Sequence, residues 1–174
     1  MKIKIPLKED VIEKLEAGER VELTGNIFVA RDRVHKKFIE LIEKGKDLPV
    51  DLKGGVIYYM GPTPAPPGKI IGSCGPTTSS RMDKFTLPLL DYGLKGTIGK
   101  GKRSKEIVEA FKKYRAVYFV TFGGCGAYLS KFIKKIDLIA YPEFGPEALF
   151  LIEVENFPAI VGIDIYGNDI YEKV

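Results

Sequence analysis

Apolar and polar residues alternate along this chain in two different periods, which predicts a mixed α/β fold. Short apolar runs predict strands, and stretches with apolar residues three or four positions apart predict amphipathic helices. The predicted strands cover residues 20–29 (a strand pair or one kinked strand), 55–60, 69–73, 97–98, 116–122, 136–140, 148–154 and 159–165. The predicted helices cover residues 8–17, 32–44, 79–91, 104–113 and 126–133.

Residues with strong local preferences mark several of the element ends. Gly18 and Gly45 follow the first two predicted helices, where glycine is a common helix terminator. Ser104 precedes the fourth helix and is a suitable N-terminal cap. Four prolines within residues 61–68 exclude a helix interior or a central strand, so this segment is predicted to be a loop.

Length and composition indicate one globular domain over residues 1–174, with 45% hydrophobic residues to build its core. The net charge is only +4, from 27 Lys and Arg against 23 Asp and Glu, and we find no nucleic-acid-binding motif. No apolar run reaches the length of about 18 residues that a membrane helix needs. The first residues also lack the apolar stretch of a signal peptide, so we expect a cytoplasmic protein.

The residues that usually bind metals are few and far apart in this sequence. Cys74 and Cys125 show no CxxC spacing, and His35 is the single histidine. We therefore expect no metal site built by this chain alone. One histidine also gives no basis for a Ser/His/Asp catalytic relay.

The segment Gly75-Pro-Thr-Thr-Ser-Ser-Arg-Met-Asp83 is the first candidate for chemistry, because it follows an apolar run and opens a predicted helix. Unpaired N–H groups at a helix start, neighbouring hydroxyls and the fork of Arg81 together suit a carboxylate. The alternative is a helix cap followed by a solvated arginine, since Ser and Thr are common caps.

Three further segments lie beside glycines or at element boundaries. Arg31 lies where a predicted strand gives way to a helix and shares a helix face with His35, although a lone histidine is more often structural than catalytic. Lys100 is flanked by glycines within the basic run Lys100-Gly101-Lys102-Arg103, which is either a solvated face or a site for a small dianion. Gly123-Gly-Cys-Gly126 is interpreted as a tight strand-to-helix turn, since the glycine pattern of a nucleotide-binding loop is incomplete.

Taken together and in order, these segments resemble one family over nearly the whole chain. Residues 75–83 resemble the GPTT-x-x-RMD motif in the C-terminal region of class I, iron–sulfur-dependent fumarases. Residues 24–35, with Thr-Gly, Arg-Asp and His, resemble another segment of those enzymes. The same order continues through Gly99-Lys-Gly101, residues 123–126 and Tyr141-Pro-Glu-Phe-Gly-Pro-Glu-Ala148. The chain departs from the pattern mildly at Ser79-Ser80, where smaller residues are expected.

The resemblance implies a single domain of the swivelling β/β/α type, with mixed sheets and flanking helices. It implies the β subunit of a hydro-lyase that reversibly hydrates fumarate to malate. A separate α subunit would bind the four-iron, four-sulfur cluster, and the two subunits would form a hetero-oligomer that also self-associates. L-tartrate dehydratase shares much of the motif, so fumarate and tartrate both remain candidate substrates. A non-catalytic module that binds a small anion is the alternative outside enzymes.

The resemblance also assigns roles to four residues. Arg31, Arg81 and Lys100 match positions that contact the dicarboxylate substrate, and Thr77 matches the residue proposed as the catalytic base. A threonine hydroxyl is a weak acid in water, so this role requires neighbouring cations that favour its alkoxide.

Overall fold

A computed structural model describes residues 1–172 of the chain, and these residues form seven strands and five α-helices. The strands are β1 (Lys2–Ile5), β2 (Arg20–Val29), β3 (Val56–Tyr58), β4 (Gly96–Gly99), β5 (Val117–Val120), β6 (Ile133–Ala140) and β7 (Leu149–Ile163). The helices are α1 (Glu9–Ile12), α2 (Asp32–Glu43), α3 (Asp83–Asp91), α4 (Lys105–Tyr114) and α5 (Gly126–Leu129). Single 3₁₀ segments cover Ser79–Met82, Ser130–Phe132 and Pro142–Glu147.

The strands form one mixed sheet in the order β1-β2-β3-β4-β5-β7-β6. Strands β2 to β5 run parallel to one another, and β7 runs antiparallel to β5. Because β7 also pairs antiparallel with β2, the five strands β2, β3, β4, β5 and β7 close into a barrel. Strands β1 and β6 extend the sheet outside this ring. The α/β fold with a mixed sheet and flanking helices is as predicted.

The core has two parts, one inside the barrel and one beneath the helices. On β3 and just beyond it, Tyr58 faces the first cluster and Tyr59 the second, and both are fully buried. Strands that are covered on both faces need apolar side chains at every position, which explains the continuous apolar run at residues 55–60. Helices α2, α3 and α4 supply Phe38, Leu89 and Phe111 to the second cluster.

Strand β7 is one long strand where the sequence predicted two. It runs from Leu149 to Ile163 and passes through Asn156, whose φ of 51° bends the chain without ending the strand. Its two halves pair with the two halves of β2, and the register shifts between Leu23 and Gly25. At Gly25 an added Cβ would lie 2.5 Å from the carbonyl oxygen of Ile5, so the kink predicted for residues 20–29 depends on glycine.

The helices with strong sequence signals are confirmed in place and extent. Helix α2 ends before Gly45, which has a φ of 62°. Helix α4 begins after Ser104, whose hydroxyl accepts a hydrogen bond from the main-chain N–H of Ile107. The predicted helix over 79–91 is a 3₁₀ turn that continues into α3. Helices α1 and α5 are shorter than predicted, and each is a single turn of four residues.

The predicted strand over residues 69–73 is wrong, because this segment folds back on the proline-rich loop and does not join the sheet. The N–H of Thr63 donates to the carbonyl of Ser73, and the N–H of Ser73 donates to the hydroxyl of Thr63 at 2.7 Å. Ile70 stays half exposed as a result. No helix within residues 1–172 is long and apolar enough to cross a membrane.

Candidate functional site

The candidate residues lie at the carboxyl ends of the parallel strands. Arg31 follows β2, and Lys100 follows β4 directly. Parallel strands bring their carboxyl ends to one edge of the sheet, which is where α/β proteins place ligand-binding residues. The loop that contains Thr77 crosses this same edge, next to the residue that follows β3.

Thr77 and Lys100 are adjacent through their main chains. The N–H of Thr77 donates to the carbonyl of Tyr59 at 2.7 Å, and the N–H of Lys100 donates to the carbonyl of Thr77 at 3.3 Å. The N–H of Ser79 in turn donates to the carbonyl of Lys100 at 2.9 Å. A short parallel bridge therefore fixes the proposed base and one proposed substrate cation relative to each other.

The cap interpretation of this segment does not describe its geometry. The 3₁₀ turn begins at Ser79, and Thr78 occupies the N-cap position without a side-chain capping bond. Both main-chain groups of Thr77 are used by the neighbouring strands, which places this residue in an extended crossing before the turn.

Arg81 is paired with an acidic residue and is therefore not simply solvated. Its Nε and Nη2 donate to the two carboxylate oxygens of Asp32 at 3.3 and 2.6 Å. Asp32 directly follows Arg31, so this bidentate pair brings Arg81 next to the start of α2. Arg81 keeps 49% of its side chain exposed, which leaves much of it accessible to a ligand.

Arg31 lies between β2 and α2 as the N-cap residue of the helix, as the sequence predicted. Its guanidinium packs against Gly61, where an added Cβ would lie 2.7 Å from Nη1. Its Nε is 3.9 Å from a carboxylate oxygen of Glu147 and, among residues 1–172, is a buried nitrogen without a hydrogen-bond partner. Sequence reasoning missed Glu147 and Gly61, because each is far from Arg31 along the chain.

Lys100 lies over the glycine turn that follows β5. A Cβ added at Gly123 would lie 3.3 Å from Cδ and 3.7 Å from Nζ of Lys100. The turn at residues 123–126 is tight, as predicted: Gly124 has a φ of 77°, and Gly126 packs too closely on Ser73 to carry a side chain.

The basic run at residues 100–103 is neither one solvated face nor one binding site. Lys102 is exposed, whereas Arg103 is fully buried. Arg103 donates to Asp83 at 2.5 Å, to Thr86 at 2.9 Å and to Thr97 at 3.2 Å. The aromatic rings of three buried residues surround its guanidinium: Tyr59, Phe111 and Tyr118. The solvated-face interpretation is therefore wrong for Arg103, which is a structural residue.

His35 fits the structural interpretation of a lone histidine. It is fully buried, and its Nδ1 lies 2.8 Å from the carbonyl oxygen of Arg31, which requires a proton on Nδ1. The rings of Tyr59 and Phe85 pack against it. Burial lowers the pKa of His35 to about 4, so the imidazole is neutral at pH 7.

The side chains of the described residues do not fit an iron–sulfur cluster. Within residues 1–172, no three His, Cys, Asp or Glu side chains lie together in a way that could hold a metal ion. The Cys74 thiol is buried and 3.5 Å from the carbonyl oxygen of Gly126, and burial raises its pKa to about 12. Cys125 is exposed in the glycine turn.

The arrangement as a whole is suited to an anion with two carboxylates. A main-chain hydrogen bond joins Lys100 to Thr77, and the carboxylate of Asp32, the residue after Arg31, binds Arg81. Guanidinium groups bind carboxylates through paired N–H donors, and an ammonium adds a point charge. A cavity of about 450 Å³ is lined by residues 63–73 and 127–134, so the three cations and the hydroxyl of Thr77 lie outside it.

Residues 1–174 match the sequence model of the family described as Fumarase C-terminus. The chain is 41% identical over 175 residues to the anaerobic class I fumarate hydratase of Escherichia coli strain K12, covering 97% of this chain and 32% of that protein. It is 40% identical over 179 residues to fumarate hydratase 2 of Leishmania major, with 98% and 32% covered. It thus spans about a third of the length of these fumarate hydratases.

A shorter relative is similar over most of its length. The putative L(+)-tartrate dehydratase subunit beta of Methanocaldococcus jannaschii is 39% identical over 173 residues, covering 96% of this chain and 88% of that protein.

Proposed function

Since this chain belongs to the fumarase C-terminus family, we propose that it supplies the substrate-binding half of the active site of a hydro-lyase for a four-carbon dicarboxylate. The reaction is the reversible hydration of fumarate to malate. The observation that carries the proposal is the main-chain hydrogen bond from the N–H of Lys100 to the carbonyl of Thr77, together with the Arg81–Asp32 pair at the start of α2. These contacts support a site in which the hydroxyl of Thr77 and the three cations act together at this edge of the sheet.

The two arginines and Lys100 bind and orient the substrate carboxylates. Arg81 uses its exposed guanidinium face, because Asp32 already occupies the edge formed by Nε and Nη2. Arg31 is 25% exposed and its buried Nε has no hydrogen-bond partner among residues 1–172, so the accessible part of its guanidinium is free to bind a carboxylate. Fixed cations favour the doubly charged carboxylate form that develops when the adjacent carbon loses a proton.

Thr77 acts as the base in the direction from malate to fumarate. Its alkoxide oxygen accepts the proton from the carbon next to one carboxylate, the electron pair of that bond forms the carbon–carbon double bond, and the hydroxyl leaves the neighbouring carbon as hydroxide. The hydroxide and the proton taken up by Thr77 then combine through solvent to give water, which restores the alkoxide. The ammonium of Lys100 on the neighbouring strand favours the negatively charged form of the threonine oxygen. In the hydration direction, Thr77 returns the proton to carbon.

A separate α subunit completes the site and binds the four-iron, four-sulfur cluster. The side chains of residues 1–172 do not suit a cluster, and the fumarate hydratases in this comparison are about three times longer than the region they share with this chain. The exposed half of Arg81 and the open edge around it are available to such a partner.

Co-expression with a cluster-bearing α subunit tests this proposal. We expect the complex to contain iron and to hydrate fumarate, followed by the loss of fumarate absorbance. The chain purified alone should bind no stoichiometric iron and show no hydratase activity. An iron–sulfur cluster in the isolated chain, or a complex that binds dicarboxylates without turning them over, would contradict the assignment of roles.

Tartrate dehydration is the second candidate activity, and one observation favours it. The putative L(+)-tartrate dehydratase subunit beta of M. jannaschii matches this chain over 88% of its own length, as a separate subunit would. Comparison of kcat/KM for malate and L-tartrate in the same complex distinguishes the two. A stable chain that binds small dicarboxylates but no partner would favour the non-catalytic anion-binding module.

A further inference from the structure

A buried tyrosine hydroxyl connects the two segments that carry Thr77 and Lys100. Tyr118 lies on β5 and is fully buried. Its Oη is 2.9 Å from the hydroxyl of Ser79 and 2.9 Å from the carbonyl oxygen of Gly101. Because a carbonyl only accepts, Tyr118 donates its proton to Gly101 and accepts a hydrogen bond from Ser79.

The two partners of Tyr118 are close neighbours of the proposed site residues. Gly101 follows Lys100, and Ser79 lies two residues after Thr77. The main chains of these segments are already joined, since Lys100 donates to Thr77 and accepts from Ser79. The Tyr118 hydroxyl therefore adds a buried side-chain connection between the Thr77–Ser79 segment and the Lys100–Gly101 segment.

The glycines beside Lys100 fit this network closely. A Cβ at Gly99 would collide with the hydroxyl of Ser79, so the serine can lie under β4 only because residue 99 is glycine. Gly101 has a φ of 83°, and its N–H donates to the Oη of Tyr171 at 3.2 Å. Both polar groups of Gly101 are thus held by tyrosines.

We propose that Tyr118 is a positioning residue, which fixes the main chain at Lys100 relative to Thr77 through its hydrogen bonds to Gly101 and Ser79. This inference rests on the proposed function, because it assigns those two residues to the active site. Tyr118 does not contact substrate: the side chains of Lys100 and Thr77 do, and the tyrosine sets the spacing between them. A loss of geometry of this kind changes turnover more than it changes folding.

The hydroxyl is available as a donor throughout the physiological pH range. Burial raises the pKa of Tyr118 well above its ordinary value, while the hydrogen bond from Ser79 and the charge of Arg103 act in the opposite direction. The phenol therefore stays protonated, and its bond to Gly101 does not switch with pH.

Four variants of the α–β complex separate positioning from stability: Tyr118→Phe, Ser79→Ala, their combination, and Tyr58→Phe as the control. Tyr58 is a matched residue, since it is also fully buried and its hydroxyl donates to a loop carbonyl, that of Cys74, at 2.5 Å. We expect Tyr118→Phe to lower kcat/KM by about 10- to 100-fold. Tyr58→Phe should lower the melting temperature to a similar degree and change kcat/KM less than about threefold.

The double variant gives the decisive comparison. Tyr118→Phe leaves the Ser79 hydroxyl buried without its partner, and adding Ser79→Ala removes that hydroxyl, so the melting temperature should recover. The activity should stay low, because Gly101 is still released. If kcat/KM recovers together with the melting temperature, or if Tyr118→Phe is as active as the wild type, the positioning role is wrong.

Amide hydrogen exchange keeps this test independent of hydratase activity. In the same complex, Tyr118→Phe should speed exchange at the amides of Lys100 and Ser79, and Tyr58→Phe should not. If the wild-type complex lacks hydratase activity but Tyr118→Phe still speeds exchange at these amides, the proposed function is refuted and the structural role of Tyr118 stands. Unchanged exchange at both amides refutes the role of Tyr118 itself.

Discussion

Asp32 fixes Arg81 at the start of α2, next to Arg31 in sequence. It accepts two hydrogen bonds from Arg81. Its carboxylate offsets part of the positive charge of the Arg81 guanidinium. Because Asp32 and Arg81 are 31% and 49% exposed, water screens the pair, and its main effect is to fix the direction of the Arg81 side chain.

We predict that Asp32→Asn weakens substrate binding without abolishing turnover. An asparagine accepts one of the two bonds from Arg81 and carries no charge, so the guanidinium is held less firmly. KM for malate should rise by about three- to tenfold, which corresponds to about 1 kcal/mol, and kcat should change less. Steady-state kinetics of the α–β complex measure both.

Glu13→Gln is the matched control for Asp32→Asn. Glu13 accepts from Nη2 of Arg115 at 2.6 Å in another exposed arginine–carboxylate pair, located next to α1 and away from the site. Its replacement should leave KM unchanged. A lower KM for Asp32→Asn would mean that Asp32 competes with the substrate for Arg81, contrary to the positioning role.

Thr77→Ala and Thr78→Ala distinguish a reacting hydroxyl from a merely local one. Main-chain hydrogen bonds to Tyr59 and Lys100 hold Thr77 in place, and alanine retains both bonds. The melting temperature of the Thr77→Ala variant should therefore hardly change. Its kcat should fall by orders of magnitude if the hydroxyl is the base. Thr78 occupies the N-cap position without a side-chain capping bond, so Thr78→Ala should be nearly silent in both measurements. Equal, small losses at the two positions would remove Thr77 from the reaction.

At the scale of elements, Asp83 and Arg103 join two helices beneath the site. Asp83 begins α3 and accepts both from Nε of Arg103 and from the N–H of Ser104, the residue that caps α4. The Arg103 side chain is fully buried, with Thr86 and Thr97 as further hydrogen-bond partners. The final residue of the Gly75–Asp83 segment is therefore structural.

We predict that Asp83→Ala destabilises the fold by about 3–5 kcal/mol, because it leaves a buried guanidinium without its counter-charge. Adding Arg103→Met should recover a large part of that loss, since the apolar side chain fits among the surrounding aromatic rings. Urea unfolding of the single and double variants measures both values. If the double variant is no more stable than Asp83→Ala, the charge is not the cause.

At the scale of the whole molecule, the barrel fixes the site because β7 closes the ring between β2 and β5. Four parallel strands then end at one edge with little freedom to move apart. The helices pack on the outer face of the ring and bury His35 together with Phe38 and Tyr59. A titratable ring in this position links the stability of the whole fold to pH.

We predict that His35 makes the folded chain less stable as the pH falls from about 7 to about 4. Burial lowers the pKa of His35 in the folded state from the ordinary 6.5 to about 4. Between these two pH values, His35 is protonated in the unfolded chain and neutral in the folded chain. The stabilisation from neutral His35 is fully present above pH 6.5. Its loss lowers the free energy of unfolding by up to about 3 kcal/mol at low pH.

The charged groups near His35 act in opposite directions, since Asp32 favours the protonated ring and Arg103 disfavours it. Unfolding free energies of the wild type and His35→Gln across pH 4–8 give the test. The difference between the two should shrink as the pH falls, because the glutamine side chain does not titrate. A constant difference would show that protonation of His35 is not linked to folding.

The sequence alone determined the features that depend on neighbouring residues. Periodicity and caps act over one or two turns, so several features were predictable: helix α2 with its glycine stop, the Ser104 cap, the short apolar strands and the position of Arg31 between strand and helix. The motif pattern likewise indicated the family.

Only the tertiary structure decided which of the charged and polar side chains form contacts. Arg81 meets Asp32 across 49 positions, Tyr118 meets Ser79 across 39, and β7 pairs with β2 across more than a hundred. The strand predicted over residues 69–73 is a loop because of a contact between distant segments. Ser73 forms its hydrogen bonds with Thr63 of the proline-rich loop and not with a strand of the sheet. Arg103 is buried and Lys102 is exposed although both belong to one basic run. Burial depends on side chains from segments distant in sequence, and the neighbouring residues do not predict it.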